Sequence, residues 1–222
     1  MILCVSQDIF DEYSRFQTPM HVIPHAISSE AFEIESDHEL EFDRENYGVF
    51  VGVIDARLDF DLIEEAAKRF SDEEFVFVGP LRLPESASAK RLFVENRYEN
   101  VTAIGSRPFK ELKYYINKSK FCLSFMDKEY PGNKVGHHKT QVYLSQGKPV
   151  FGPKFSDYKD LGDIMYMDDC PDGILEKLAR FLEVGEEDSL SRRRIESAKA
   201  HSYENTLQKI NDILQRQAAD LG

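Results

Sequence analysis

The stretch HHKTQVYLSQGKPV, residues 137–150, contains one complete helix-to-strand unit. Lys139 opens a short helical turn with apolar spacing, Gly147 and Lys148 end it, and Pro149-Val150-Phe151-Gly152 follows as a strand. Glycine suits the left-handed position that closes a helix, and a proline just beyond it prevents continuation. A lysine at such a helix start is either solvated or meets a phosphate, because the helix N-terminus already offers free N–H groups and positive dipole charge. The setting of the unit in the whole chain decides between the two.

Upstream, residues 48–54 (GVFVGVI) form a continuous apolar run, as a parallel strand buried on both faces requires. Residues 61–70 have helical spacing, and 75–79 (FVFVG) make the next strand, closed by Pro80. A helix over 86–95, a third strand at 101–104 ending at Gly105, a helix over 109–117 and a fourth strand at 121–125 (FCLSF) follow. The fifth strand is 149–152 and the sixth 164–167, with helices over 172–183, 188–200 and 203–217. This alternation predicts an α/β fold: a doubly wound, parallel, six-stranded Rossmann-like sheet with right-handed crossovers. Ligands of such sheets sit at the carboxyl ends of the strands, so the turns 52–57, 79–81, 105–109 and 126–139 are the candidate binding positions. Before the sheet come a short strand at 2–5, a helix over 8–16 and a strand-like run at 21–24. The stretch between 26 and 46 is rich in Asp and Glu and reads as a solvated linker; it lacks the EF-hand pattern.

The 222 residues suffice for one sizeable domain or a domain with an appendage. Apolar residues make up 41% of the chain, enough to build a core and to argue against global disorder. The net charge of −12 disfavours nucleic acid and anionic membrane as nonspecific partners, since both require a basic surface. Cys4, Cys122 and Cys170 are odd in number and without metal-site spacing; the apolar settings of Cys4 and Cys122 predict buried, reduced thiols and a cytoplasmic location. The start of the chain has neither the basic nor the apolar region of a signal peptide, and no stretch has the length of a membrane span.

Several segments, in order, resemble the C-terminal, nucleotide-sugar-binding domain of GT-B glycosyltransferases. Residues 21–26 (HVIPHA) look like the crossing between the two domains of that family. Residues 47–62 (YGVFVGVIDARLDFDL) look like the first donor-domain strand and its turn, and 75–80 (FVFVGP) like the second strand. Residues 100–112 (NVTAIGSRPFKEL) match the family's third strand and turn, 139–150 its lysine-centred helix and following strand, and 202–207 (SYENTL) the opening of its last helix. Within the family, the lysine-centred motif is similar to that of bacterial exopolysaccharide glycosyltransferases, including glucuronosyltransferase-like members.

The resemblance implies a division into a remnant of the N-terminal domain and crossing segment (1–25), the acidic linker (26–46), a nucleotide-sugar-binding domain (47–200) and a C-terminal helix (201–222). It implies transfer of a sugar from a nucleotide diphosphate, a UDP-sugar first among them, to a glycan or lipid-linked acceptor, with no metal and no other cofactor. Departure of the diphosphate develops negative charge, which a metal-independent site meets with lysine, arginine or backbone donors. Lys139 fits that role. His137 and His138 either add donors or form a polar loop cluster. Gly105, Ser106 and Arg107 occupy the place of the family's base contacts, Arg107 with a solvated role as the alternative. Gly52 permits close backbone approach to the donor or tight strand packing. Phe109 reads as a core anchor of the following helix in preference to a base-stacking platform. Asp59-Phe60-Asp61 looks like a metal motif but reads better as a helix cap, and Asp168-Asp169 as turn and cap.

Two departures from the family stand out. Its ribose-binding acidic residue falls at Val142, which accepts no hydrogen bond. Gln141 is adjacent, but one residue turns a helical side chain by about 100°. Nearly all of the N-terminal, acceptor-binding domain is also without counterpart, so no catalytic residue is assignable and the chain by itself is expected to be inactive. The expected partners are therefore a nucleotide-sugar, an acceptor-domain protein or a second copy, and a membrane approached peripherally through the other half. A non-catalytic scaffold or regulatory subunit is the rival reading; a receiver-like domain lacks its acidic pocket, since the first strand offers only Asp55.

Overall fold

Strand β1 (Ile2–Cys4) leads through helix α1 (Gln7–Tyr13) to β2 (Met20–Val22), and the two strands pair in parallel as a sheet of their own. The computed structural model describes residues 1–34, 42, 44–130 and 138–220. The chain then runs through β3 (Gly48–Val51), β4 (Ile54–Asp55), α2 (Phe60–Arg69), β5 (Phe75–Val78), β6 (Leu81–Arg82), α3 (Ala87–Phe93) and β7 (Val101–Gly105). It continues through α4 (Leu112–Lys118), β8 (Phe121–Leu123), α5 (His138–Ser145), β9 (Val150–Pro153) and β10 (Tyr166–Asp168). Three helices close it: α6 (Pro171–Val184), α7 (Asp188–Ala200) and α8 (Tyr203–Asp220).

The main sheet has the order β10-β9-β8-β3-β5-β7, and every pairing in it is parallel. The sheet starts at β3, grows outward through β5 and β7, then crosses back to lay β8 on the other side of β3. The order therefore reverses between β3 and β8, and that is where an open α/β sheet holds its crevice. All residues of β3, β5 and β8 are buried, which explains their uninterrupted apolar sequences: a parallel strand with helices on both faces has no solvent side. Phe50 packs on Phe77, and Phe75 on Phe121. Each such side chain contributes about 1.5–3 kcal/mol relative to an exposed position.

Polar residues hold the ends of the elements. Asp59 Oδ1 accepts from the Leu62 N–H at 2.9 Å and caps α2, and Asp61 accepts from Ser88, so both acidic residues of that short motif have structural partners. The Asn100 amide donates to the carbonyls of Ala67, Phe70 and Glu73, each at 3.1 Å, and closes the other end of α2. Gly147, at φ +67°, ends α5 as the sequence predicts. Its carbonyl accepts from Arg194 Nη1 at 3.1 Å; Arg194 is fully buried, pairs with Glu186 and also reaches the Ile164 carbonyl. Cys4 and Cys122 are buried free thiols, and burial pushes the Cys122 thiol up to about 12.

The structure departs from the sequence expectation chiefly in four places, besides shorter ends elsewhere: α1 stops at Tyr13 and β8 at Leu123. The run at 48–54 is not one strand: β3 stops at Val51, Gly52 turns the backbone at φ +134°, and Ile54–Asp55 pairs with Leu81–Arg82 apart from the main sheet. The last strand lies two residues later than expected at its start, at Tyr166–Asp168, because Ile164 and Met165 close the turn after Leu161 through their N–H groups. The helix expected from 109 begins as a tight turn, Phe109–Glu111, and becomes α-helical only at Leu112. Phe109 is 70% exposed and anchors no core, since that turn projects it outward ahead of the buried Tyr114, Tyr115 and Ile116.

Candidate functional site

The crevice is built by a splaying of β3 from β8. The two strands pair only at Gly48–Phe121 and Val49–Cys122. In a parallel ladder alternate residues address opposite neighbours. Gly48 and Gly52 donate to β5-side carbonyls, so the Val51 N–H points toward β8, which has already diverged. Tyr143 of α5 fills the gap: its hydroxyl accepts from the Val51 N–H at 2.9 Å. One helical turn before Tyr143, Lys139 lies on the same side of α5 and reaches over the carboxyl end of the sheet. Its Nζ is 4.0 Å from the Phe50 ring centroid and 3.2 Å from Met126 Sδ. Among the described residues no carboxylate forms an ion pair with it. Burial, reinforced by nearby Arg57 and opposed by Asp55, pulls the lysine down to about 7.

Arg57 and Asp55 form the adjoining rim. Arg57 Nε and Nη2 donate to the two Asp55 carboxylate oxygens at 2.9 and 3.0 Å, and the Arg57 N–H caps the same carboxylate. Burial alone would raise Asp55, but these bonds outweigh it and hold the carboxyl below its ordinary value. The loop is fastened across the crevice, with Asp59 N–H donating to Phe125 C=O at 3.0 Å and Asp127 N–H to Arg57 C=O at 2.9 Å.

Three glycines step along the carboxyl edge of the sheet. Gly52 N–H donates to Val78 C=O, and Gly79 N–H to Gly105 C=O, both at 2.9 Å. A Cβ at Gly79 would lie 1.8 Å from the Gly52 carbonyl oxygen, so that position admits no side chain. Gly105, at φ +73°, has open space around it. Beside this edge lies a cleft of about 340 Å³. Val51 and Gly52 form its floor, Lys139 and Val142 one wall, and Phe109 and Leu112 another, with Ile27–Ala31 and Tyr203 closing the far side. The lining is mainly apolar, with Lys110, Lys113 and Lys139 as its cations and Glu30 as its carboxylate.

Of the residues singled out in the sequence, the structure brings Gly52, His138 and Lys139 into this cleft. His138 is held from behind: its Nε2 lies 3.0 Å from Ala26 C=O, and its ring meets His25 edge-on at 6.0 Å. Burial, with His138 as the second cause and Asp157 opposing, lowers His25. His137 lies outside the described residues. Gly105, Ser106 and Arg107 do not line the cleft; they form the next loop along the sheet edge, where Arg107 Nη1 donates to Ser106 C=O at 3.3 Å. Gln141 is buried behind the wall, and its Oε1 has no hydrogen-bond partner among the described residues. Val142, the residue that departs from the resemblance, faces the cleft. Sequence reasoning passed over the Asp55–Arg57 pair, though it lies in the turn after the first strand. It also gave no sign of the wall at 27–31, which reaches the cleft through the parallel bridge Ile27–Ser202.

This fold and crevice define a Rossmann-like α/β unit of the kind found in GT-B glycosyltransferases. The chain is similar to sucrose-phosphate synthase from Thermosynechococcus elongatus, with TM-score 0.76 and 14% identity over 98% of this chain and 58% of that one. It is similar to a TarM variant of S. aureus in complex with fondaparinux, alpha-GlcNAc-glycerol and UDP, with TM-score 0.68 and 16% identity over 95% of this chain and 43% of that one. AviGT4, a glycosyltransferase involved in avilamycin A biosynthesis, gives TM-score 0.66 and 14% identity over 98% and 64%. The chain thus spans about two fifths to two thirds of the length of the structures it matches. No family model and no curated protein matches the sequence. Among the described residues no helix is long and apolar enough to cross a membrane, and no group of three or more His, Cys, Asp or Glu is placed to hold a metal ion.

Proposed function

We propose that this chain is the donor-binding unit of a glycosyltransferase. In this reading it takes a nucleotide-sugar, first of all a UDP-sugar, whose sugar passes to a glycan or lipid-linked acceptor of a cell-envelope or extracellular polysaccharide. The observation that carries the proposal is Lys139: a lysine that forms no ion pair with a carboxylate among the described residues, held at the β3–β8 switch point beside an apolar cleft. An unpaired cation in such a place is costly unless an anion arrives. A diphosphate supplies that anion. As the bond from the sugar's anomeric carbon to the diphosphate oxygen breaks, the electron pair stays on that oxygen, and Lys139, with Arg57 beside it, offsets the charge. Residues 47–200 form the donor unit, with Gly52 allowing the diphosphate to approach the backbone and His138 adding a donor. Gly105, Ser106 and Arg107 contact the base from the neighbouring loop, and exposed Phe109 offers it a stacking face. The TarM variant's complex with UDP and the share of its length left unmatched support a UDP donor and a second, acceptor-binding half. Buried unpaired thiols at Cys4 and Cys122 support a reducing, cytoplasmic location.

One observation favours a second reading, a non-catalytic scaffold. Val142 faces the cleft where the resemblance puts a ribose-binding acid, and Gln141 does not line the cleft to replace it. A thermal-shift panel of UDP, GDP, CDP, dTDP and ADP separates the two readings, because a ligand that binds only the folded state raises the melting temperature. A shift with one nucleotide that Lys139→Ala abolishes supports the donor unit. A well-folded chain that ignores all five favours the scaffold, or a donor site completed only by the acceptor-binding half.

A further inference from the structure

Lys139 marks one end of the apolar cleft and exposed Phe109 another. The Asp55–Arg57 rim and Met126, which flank the lysine, do not line the cleft. A diphosphate held at Lys139 therefore sends one of its substituents away from them, into the apolar space. With the base at Phe109, as the donor reading has it, the pentose lies between the two. That middle stretch is floored by Val51 and walled by Leu112 and Val142. Val142 follows Lys139 by three residues, about 4.5 Å along α5. The ring that follows the phosphate thus meets the side chain that follows the lysine.

A pentose hydroxyl is a donor that needs an acceptor once water is excluded. The accepting side chains of the lining stand elsewhere. Ser28, Glu30 and Tyr203 belong to the far side; Glu30 is exposed, and the Ser28 hydroxyl already accepts from the Glu30 N–H at 3.3 Å. On the α5 wall His138 turns its Nε2 to Ala26 C=O, and a protonated Lys139 only donates. Gln141 is buried without lining the cleft. We infer that Val142 sets the pentose specificity of the site, which takes ribonucleoside and deoxyribonucleoside diphosphates alike because neither the 2′- nor the 3′-hydroxyl is hydrogen-bonded there. The inference rests on the donor reading and deepens it by naming the class of nucleotide. The residue that speaks for a scaffold then becomes a feature of a working site, one that holds the pentose by apolar contact alone.

The test measures the affinities of UDP, 2′-deoxy-UDP and 2′,3′-dideoxy-UDP for the full chain by calorimetry. A site that hydrogen-bonds a hydroxyl rejects the analogue lacking it by roughly tenfold or more. The expected result is that the wild type binds all three within about threefold of one another, and that Lys139→Ala weakens all three by the same factor. Val142→Glu, which puts an acceptor on the wall, should create a preference for UDP over the dideoxy compound of roughly tenfold. The readout is a ratio within each protein, so any loss of affinity common to the three nucleotides leaves it unmoved. Val142→Gln supplies an uncharged acceptor and carries the same expectation where the glutamate variant fails to fold. A wild type that binds UDP at least tenfold more tightly than 2′-deoxy-UDP or the dideoxy compound overturns the inference and leaves the donor reading standing. So does an unchanged ratio in the folded variant. A wild type that binds none of the three overturns the inference together with the reading of this chain as a donor site by itself.

Discussion

The ammonium of Lys139 sits 4.0 Å from the centroid of the Phe50 ring. Phe50 belongs to the central strand and Lys139 to the helix that follows the crossing to the other half of the sheet, so this contact spans the switch point. The ring face offers the cation a weak electrostatic partner, worth about 0.5–2 kcal/mol, which falls short of replacing its hydration. The lysine is thus held without being neutralised.

That imbalance has a pH signature. Lys139 titrates near 7 in the folded chain, against about 10.4 in an unfolded one. Between those values the unfolded chain binds the extra proton, so stability rises with pH through that window, by up to about 1.4 kcal/mol per unit. Lys148, also lowered by burial, acts in the same direction. Urea unfolding across neutral to alkaline pH should show this rise, and Lys139→Met should remove most of it. An unchanged slope in the variant would show the lysine to be solvated.

Tyr143→Phe deletes the hydroxyl that satisfies the Val51 N–H. A buried donor left unpaired costs about 1–3 kcal/mol. The expected outcome is a lower melting temperature and faster hydrogen exchange at the Val51 amide, the signs of a loosened crevice floor.

The two edge glycines should respond differently to alanine. At Gly79 the new methyl would collide with the Gly52 carbonyl, and the sheet edge must move; the variant is expected to lose more than about 3 kcal/mol. At Gly105 the methyl meets open space, and only the left-handed backbone is penalised, by about 1–2 kcal/mol. Denaturant midpoints of the two variants compare them directly.

Glu64 is nearly fully buried, and Arg91 and Tyr98 both donate to its carboxylate. The Arg91 bonds, with burial opposing and Tyr98 assisting, hold the carboxyl at about 2. Its contribution is present above the unfolded value of about 4.3 and is lost as pH falls from there toward 2. Glu64→Gln should be less stable at neutral pH by about 3 kcal/mol and show less further loss in acid. Acid titrations of both proteins followed by circular dichroism check this.

The sheet was legible because parallel strands buried on both faces leave unbroken apolar runs, and because Gly52, Gly79, Gly105 and Gly147 punctuate them. Lys139 was legible because a helix between two such strands has few places to go. Three features were not legible, the first two set by contacts between distant segments and the third by a local turn. The end of β3 depends on a hydroxyl 92 residues away. The cleft wall at 27–31 depends on the bridge to Ser202. Phe109 reads as apolar and helical but opens a tight turn before the buried face of α4 begins, so it projects into solvent at the cleft. Val142 was legible as a departure, and the structure adds that it faces the cleft.

Calorimetric titration of UDP into the wild-type chain and into Lys139→Ala, just below neutral pH where the lysine is still protonated, tests the central claim most directly. The account predicts saturable binding by the wild type, weakened at least tenfold in the variant, about 1.4 kcal/mol or more, with the variant folded and no less stable than the wild type. Equal affinity in the two proteins would contradict it, since the unpaired lysine at the switch point would then have no part in holding the diphosphate.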